Sequence, residues 1–239
     1  TKPTRYMNTG ANQVQYHSYS DPGYSLGWGT NDVHLTLTGG RSFTATYPIY
    51  GRILNPPAKS KPAGTYTSTL TVDGGYDTSG FVGFFGCGGF FGYDGTGFTA
   101  DTFTAQVTLY STCTITACNI DFGTLASLTA NHDLSGNLGV TCNILAPYTI
   151  YMDKGSTTGN TIAARKMSLN GAGAGVVSYQ LYRDGFGTTL WGDGMTGGSA
   201  YTGTGSGSLQ TIPVYARMPG QATPTPGVYK DTITATVNY

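Results

Sequence analysis

The chain has 239 residues, of which only 10% are charged, and its formal net charge is zero. This length accommodates two domains, and a chain without a basic excess is a poor partner for nucleic acid. All 12 acidic residues are aspartate, and glycine (37) and tyrosine (18) are abundant. Because Thr, Tyr and Val favour strands whereas Glu favours helices, the composition predicts an all-β protein with glycine-rich loops. No apolar run is long enough to predict a membrane span.

A partial internal repeat organises the chain. Three pairs of segments match: VQYHSYSDPGYSLGWG from Val14 with VSYQLYRDGFGTTLWG from Val177, YPIYGRI from Tyr47 with IPVYARM from Ile212, and GTYTSTLTV from Gly64 with GVYKDTITA from Gly227. Matches spread over this distance indicate two copies of one domain. The second copy has a long run before its repeated half, which the first copy lacks. We therefore predict domains at 1–100 and 101–239, with the front half of the first domain absent from this chain.

Strand patterns dominate the second copy. The segment from Phe103 alternates apolar and polar residues with period two, which predicts a half-buried strand. Further strands are predicted at these segments: LGVTC from Leu138, PYTIYM from Pro147, RKMSL from Arg165, VVSYQLY from Val176, TIPVYAR from Thr211 and VYKDTITATVNY from Val228. Short strands separated by turn residues indicate an immunoglobulin-like sandwich. In the last strand Asp231 interrupts the apolar face.

The second sandwich lacks a seventh strand in this count, because the sixth runs to Tyr239. An open sandwich exposes a groove and two unpaired edges, so we expect another chain to supply the missing strand. The first copy continues past its last repeated strand, and we expect it to form its own seventh strand near 93–99. The fold class is thus two tandem immunoglobulin-like sandwiches, the second without its own last strand.

The chain resembles a known family, completely from Phe103 to Tyr239 and, as the second half of another copy, from Val14 to about Val72. The motifs that carry the resemblance are Cys113, DFG from Asp121, VTC ending at Cys142, PYTIYMDKG from Pro147, YQLYRD from Tyr179, LWGDG from Leu190, IPVYARMPGQ from Ile212 and PGVYKDTITATVNY from Pro226. Together they resemble the spore coat protein U domain, which builds subunits of archaic (Csu-type) chaperone–usher pili. A chain with two such domains resembles the two-domain tip adhesin of these pili.

The resemblance implies specific partners and an extracellular location at the pilus tip, reached through the periplasm of a Gram-negative bacterium. The partners are a periplasmic pilus chaperone, the usher and an adjacent subunit that donates a strand. The groove residues are expected on the first and last strands of the second domain: Phe103, Val107, Leu109, Ile233, Ala235, Val237 and Tyr239. The family pattern also suggests a Cys113–Cys142 disulfide, with Cys118 as a competitor and the partner of Cys87 left open.

The segment Gly80–Tyr93, GFVGFFGCGGFFGY, is the candidate adhesive surface. In strand order it is the loop between the sixth and seventh strands of the first domain, which should point away from the second domain. Exposed aromatic patches usually mark binding surfaces, and here the partner would be a hydrophobic or abiotic surface. The surface-binding residues are expected to be Phe81, Val82, Phe84, Phe85, Phe90, Phe91 and Tyr93. A core plug and an interdomain hinge are the alternative interpretations.

Other singled-out residues favour structural roles. Trp28 and Trp191 occupy equivalent repeat positions, which favours a fold role over a sugar platform. Asp21 and Asp184 are equivalent too and are expected to cap turns. We expect no enzyme, no cofactor and no metal site, because no nucleophile lies near a base and no metal spacing is present. The competing functions are a purely structural pilin or coat subunit, and a lectin that uses Tyr24, Trp28 and Asn31.

Overall fold

A computed structural model describes residues 4–29, 47–54, 59–77, 96–117, 119–172 and 174–239. All elements in these ranges are β-strands, which confirms the all-β prediction. Helices long and apolar enough to cross a membrane do not occur among these residues. The chain divides into two compact units: unit 1 comprises Thr1–Pro56 and Gly64–Leu109, and unit 2 comprises Pro57–Ala63 and Tyr110–Tyr239.

Unit 1 forms one antiparallel sheet in its described residues, in the order β3-β2-β1-β4-β5. Its strands are β1 (Arg5–Thr9), β2 (Asn12–Tyr19), β3 (Tyr50–Ile53), β4 (Gly64–Asp77) and β5 (Thr96–Leu109). Because side chains alternate between the faces of a strand, one face of this sheet collects the apolar residues. The buried members are Met7, Val14, Tyr16 and Tyr66.

Unit 2 is a sandwich of two sheets, in the orders β13-β9-β10-β12-β7-β6 and β11-β8-β14. Its strands are β6 (Cys113–Thr116), β7 (His132–Cys142), β8 (Pro147–Met152), β9 (Arg165–Leu169), β10 (Val176–Tyr182), β11 (Tyr201–Thr204), β12 (Gln210–Met218), β13 (Tyr229–Lys230) and β14 (Ala235–Asn238). The core lies between the sheets, where Val140 and Val214 of one sheet meet Ile150 of the other.

The alternation predicted from Phe103 is present, but the strand belongs to unit 1. Strand β5 pairs with β4 along its whole length, from Gly64 opposite Leu109 to Asp77 opposite Thr96. The expected domain boundary after residue 100 therefore moves to Leu109. A period of two shows that a strand is half-buried and does not show which strand it pairs with, so the pattern alone could not place it.

Unit 1 thus supplies its own last strand, as expected, although this strand runs to Leu109, well past the expected end near residue 99. Unit 2 differs: the predicted long final strand is broken into β13, which pairs with β9, and β14, which pairs with β8. The break contains Asp231, the residue that interrupts the apolar face.

The internal repeat extends to the register of the strands. In unit 1, Tyr19 lies opposite Tyr50 across β2 and β3. At the equivalent places in unit 2, Tyr182 lies opposite Tyr215 across β10 and β12. A shift of one residue would turn every side chain to the other face, so a shared register shows that both copies keep the same inward residues.

The register also extends the repeat upstream of the matched sequences. Met7 lies opposite Val14 in unit 1, and Met167 lies opposite Val177 in unit 2. Strand β1 is therefore the counterpart of β9. The segment RKMSL is accordingly an inner strand between β10 and β13.

The repeated aspartates cap turns in both copies, as the repeat predicts. Asp21 accepts hydrogen bonds from the backbone N–H groups of Ser25 (3.0 Å) and Leu26 (2.6 Å). Asp184 accepts from the backbone N–H of Thr189 (3.0 Å) and the hydroxyl of Thr188 (2.6 Å). These hydrogen bonds hold the pKa of both carboxyls below the ordinary aspartate value.

Candidate strand-accepting groove

Two strand edges in unit 2 face each other without pairing. Strand β6 shares a ladder with β7, and β14 shares one with β8. Strands β6 and β14 are neighbours, but within the described ranges no ladder joins them. Such edges carry backbone N–H and C=O groups that can pair with an added strand.

The floor of the gap between these edges is apolar. On β14, Ala235 and Val237 are half-buried against the core, and so is Ile233 just before the strand. On β6, Ile115 takes the same position, while the alternate residues of both strands face outward. An added strand with alternating apolar side chains could therefore bury them between β6 and β14.

The expected groove residues fall into two groups. Ile233, Ala235 and Val237 lie on the β14 side, and Tyr239 follows that strand with 55% of its surface exposed. Three others lie elsewhere: Phe103, Val107 and Leu109 are on β5 in unit 1, where Val107 and Leu109 pack on the core of that unit. Their assignment to the groove was wrong, because β5 pairs with β4.

The residues of the opposite wall were not among the expected groove residues. Ile115, Ile120 and Phe122 are partly buried against the unit 2 core. The available signal was the short alternating segment around Cys113, which the more regular β5 pattern concealed. Because Cys113 lies opposite Cys142 across β6 and β7, the expected disulfide would have marked β6 as the first strand.

The disulfide joins the two cysteines that the resemblance implies, Cys113 on β6 and Cys142 on β7. Cys142 is fully buried in the core, so the bond ties one wall of the groove to the sandwich. Cys87 and Cys118 lie outside the described residues.

Removing this bond should measurably destabilise unit 2. Its cysteines are 29 residues apart, and a loop of that size predicts a loss of about 3.5 kcal/mol in the free energy of unfolding on reduction. Urea denaturation of the full chain with and without dithiothreitol measures the loss. A Cys113→Ser/Cys142→Ser variant is the control and should not respond to the reductant; equal urea midpoints for the oxidised and reduced wild-type chains would contradict the expectation.

A buried arginine and tryptophan support the floor of the groove. Trp191 is fully buried and donates its indole N–H to the backbone oxygen of Ile150 on β8 at 3.1 Å. Arg165 is also fully buried and donates to the backbone oxygens of Trp191 (2.8 Å) and Asp153. Burial lowers the pKa of the Arg165 guanidinium, and nearby negative charges, including Asp153, oppose this effect. The two side chains connect β9 and the Trp191 loop to β8, the strand that carries β14.

A carboxylate holds the break between β13 and β14. Asp231 accepts hydrogen bonds from the backbone N–H groups of Ser156 and Thr157, both at 2.9 Å, and from the hydroxyls of the same two residues. Its second oxygen accepts from the Asn160 amide (3.1 Å) and the Tyr179 hydroxyl (2.6 Å). Burial, reinforced by the bond to Asp231, raises the pKa of Tyr179 far above the ordinary tyrosine value, so the hydroxyl remains a donor.

The aromatic residues of unit 1 form contacts of their own. The Trp28 ring packs on Tyr47 with centroids 5.5 Å apart, and the Tyr24 ring meets the edge of Tyr19 at 5.3 Å. The Arg52 guanidinium lies 5.5 Å from the Tyr24 ring centroid. Asn31, the third residue of the lectin hypothesis, lies outside the described residues, as do the candidate surface-binding residues 81–93.

A family model described as Spore Coat Protein U domain matches residues 1–73 and 99–236. The chain belongs to this family. Protein U of Myxococcus xanthus is 32% identical to the chain over 131 residues, which is 50% of this chain and 71% of that protein. The family assignment made from the sequence motifs is thereby confirmed for both copies.

A solved structure shares the fold. It is the crystal structure of the CsuC–CsuE chaperone–tip adhesion subunit pre-assembly complex from archaic chaperone–usher Csu pili of Acinetobacter baumannii. The similarity covers 100% of this chain and 81% of that chain, with a TM-score of 0.55 and 18% identity. The immunoglobulin-like fold class predicted for this member of the spore coat protein U family is confirmed by this likeness.

Proposed function

We propose that this chain is the tip adhesin of an archaic chaperone–usher pilus. Unit 2 joins the pilus through the groove between β6 and β14. Unit 1 attaches to hydrophobic or abiotic surfaces through the segment Gly80–Tyr93, and this attachment supports biofilm formation. The protein acts outside the cell after passing through the periplasm, where a chaperone occupies the groove before the neighbouring subunit does; the usher then exports the assembly.

The pairing of β4 with β5 is the observation that carries the adhesive role. Two of the three chain connections to unit 2 leave from the end of this hairpin where Gly64 lies opposite Leu109; the third lies between Pro56 and Pro57. Residues 78–95 join the opposite end, where Asp77 lies opposite Thr96. The ladder between these ends is 14 residues long on each strand, roughly 45 Å at the usual rise per residue. A loop that starts so far along the hairpin is well situated to reach a surface.

Two features of unit 2 support the assembly role. The unpaired edges of β6 and β14 flank an apolar floor, which suits an inserted strand. The Csu structure with the same fold is a chaperone–tip subunit complex, and we extend that partnership to this chain.

Changing Phe84, Phe85, Phe90 and Phe91 together to serine should reduce attachment of piliated cells to polystyrene. Each buried phenylalanine contributes about 1.5–3 kcal/mol, and many pili multiply the effect, so we expect at least a ~10-fold loss of attached cells. Cells with equal numbers of pili, counted by electron microscopy, are compared under flow.

The control replaces four outward-facing threonines of β4 by serine: Thr65, Thr67, Thr69 and Thr71. This variant should attach like the wild type. Undiminished attachment by the phenylalanine variant would contradict the adhesive role and favour a purely structural subunit. Attachment that is released by a free sugar and persists in mild detergent would favour the lectin.

A further inference from the structure

We propose that Asp231 is the positioning residue that carries the last strand of unit 2 from one sheet to the other. In that role it fixes β14 as a wall of the groove before any partner strand arrives. This inference rests on the strand-accepting function proposed above and concerns how the acceptor is prepared. On this proposal, the Asp231 carboxylate is the reason why unit 2 accepts a partner strand, whereas unit 1 supplies its own last strand.

Hydrogen bonds to a neighbouring loop hold the break between β13 and β14. Between β13 and β14 the chain pairs with the 153–157 loop: the N–H of Ser156 donates to the oxygen of Thr232 (3.0 Å), and the N–H of Asp153 donates to the oxygen of Thr234 (3.1 Å). The Asp231 carboxylate lies at the start of this crossing. A β-carbon at Gly155 would collide with that carboxylate, and Gly155 has a φ of +92°. The loop is thus shaped to receive Asp231.

Unit 1 has a different residue at the position equivalent to Asp231. The repeated tyrosine is present in both copies, and in unit 1 the Tyr16 hydroxyl donates to the Ser68 hydroxyl at 3.0 Å. In unit 2, Tyr179 donates to Asp231. The repeat alignment that matches Gly64 with Gly227 places Ser68 over Asp231. The repeated tyrosine therefore donates its hydrogen bond to a hydroxyl in unit 1 and to a carboxylate in unit 2.

The strand behaves differently at these two positions. Strand β4 runs through Ser68 without a break and pairs with β5 over its full length. The counterpart of β4 in unit 2 stops at Lys230 and resumes at Ala235 in the other sheet. The Asp231 carboxylate has two oxygens that together accept six hydrogen bonds, and it donates none. A serine hydroxyl has a single oxygen with fewer acceptor sites and carries a proton of its own. Only the carboxylate can satisfy donors from both the 156–160 loop and β10.

The arginine beneath the crossing is another part of the repeat. Arg5 of unit 1 donates to the backbone oxygen of Trp28 (3.4 Å), as Arg165 donates to that of Trp191. The arginine, the tyrosine and the tryptophan are thus shared by both units, and the carboxylate is the member that differs. Because the carboxylate is found only in the unit whose last strand changes sheets, we associate Asp231 with that crossing and not with the fold that both units share.

The test compares Asp231→Ser, which installs the residue of unit 1, with Asp231→Asn, which keeps the shape of the side chain. The full chain is kept monomeric by an N-terminal maltose-binding protein fusion. Hydrogen exchange should rise at least ~10-fold in the amides of 232–238 and stay within about threefold in β7 and β12. The matched control is Asp193→Asn, which also loses a carboxylate that accepts several hydrogen bonds in an exposed loop of unit 2.

The second readout is strand capture. The probe is a synthetic peptide of residues 101–110, DTFTAQVTLY, the strand segment that pairs with β4 in this chain. If Asp231 prepares the groove, its variants should slow peptide association about tenfold and leave dissociation within about threefold of wild type. A peptide carrying Val107→Asp is the negative control.

Each outcome decides the question. Faster exchange confined to 232–238, with slower association, supports the proposal. Exchange that rises uniformly across β7, β12 and β14, or does not rise, would overturn it, as would unchanged association. Failure of the wild-type chain to capture the peptide would contradict the strand-accepting function, and the exchange pattern alone would then decide whether Asp231 positions β14.

Discussion

Val237→Asp should prevent capture of a partner strand and entry of the chain into pili. Val237 faces inward on β14 and is half-buried against the core of unit 2. A partner strand would cover this position and leave a carboxylate without water or an opposite charge. Burying an unpaired charge costs several kcal/mol, so we expect the amount of chaperone-bound or assembled protein to fall at least ~100-fold.

The neighbouring residue provides the control for this variant. Thr236 is the adjacent residue on the same strand but faces outward, so Thr236→Asp adds the same charge one residue away. It should assemble like the wild type. Ile115→Asp tests the opposite wall on β6 and should reproduce the loss. Copurification with the chaperone and immunogold counts of pili measure the result; normal assembly of Val237→Asp would show that the groove is not between β6 and β14.

Trp191→Ala should destabilise unit 2 by about 3–5 kcal/mol, the range for deleting a large buried aromatic side chain. The loss includes the buried contact area and the hydrogen bond to Ile150, which leaves a core carbonyl without its donor. Because a domain of this size has about 5–15 kcal/mol of stability in total, the variant should melt at a much lower temperature. Thermal unfolding of the full chain, followed by circular dichroism, measures the shift.

Two further variants separate the contributions. Trp191→Phe keeps most of the volume but loses the indole donor, and it should cost less than the alanine variant. Trp28→Ala removes the repeat counterpart, which is only half-buried, and should cost no more than about 2 kcal/mol. Equal losses for Trp28→Ala and Trp191→Ala would contradict the view that the second tryptophan is a core residue and the first a peripheral one.

Much of the fold follows from local patterns in the sequence. The match between the Val14 and Val177 segments predicted the duplication, and the strand registers agree with it residue by residue. Composition and alternation predicted an all-β protein, because these signals report backbone preference and burial. The inward orientation of Ile233, Ala235 and Val237 was predicted for the same reason, because they share one face of the final segment.

Pairing was harder to predict, because it depends on residues far apart in the chain. The segment from Phe103 has the pattern of a half-buried strand in either unit, and only its ladder with β4 assigns it to unit 1. The wall at Ile115 was missed as a consequence. The polar network was also hidden: a lone aspartate in an apolar stripe indicates an interruption, but its six donors come from residues 156–179 and converge only in the folded chain.

The shared register of the two copies carries a hazard during synthesis. Strands that match residue by residue can pair with the wrong copy, and tandem repeats are prone to such misassembly. The β4–β5 hairpin should limit this risk, because its strands are close in sequence and can pair soon after they are synthesised. Once β5 covers β4, that edge is no longer available to β13 or β14. Early formation of this hairpin should therefore reduce mispairing of strands between the two copies of the domain.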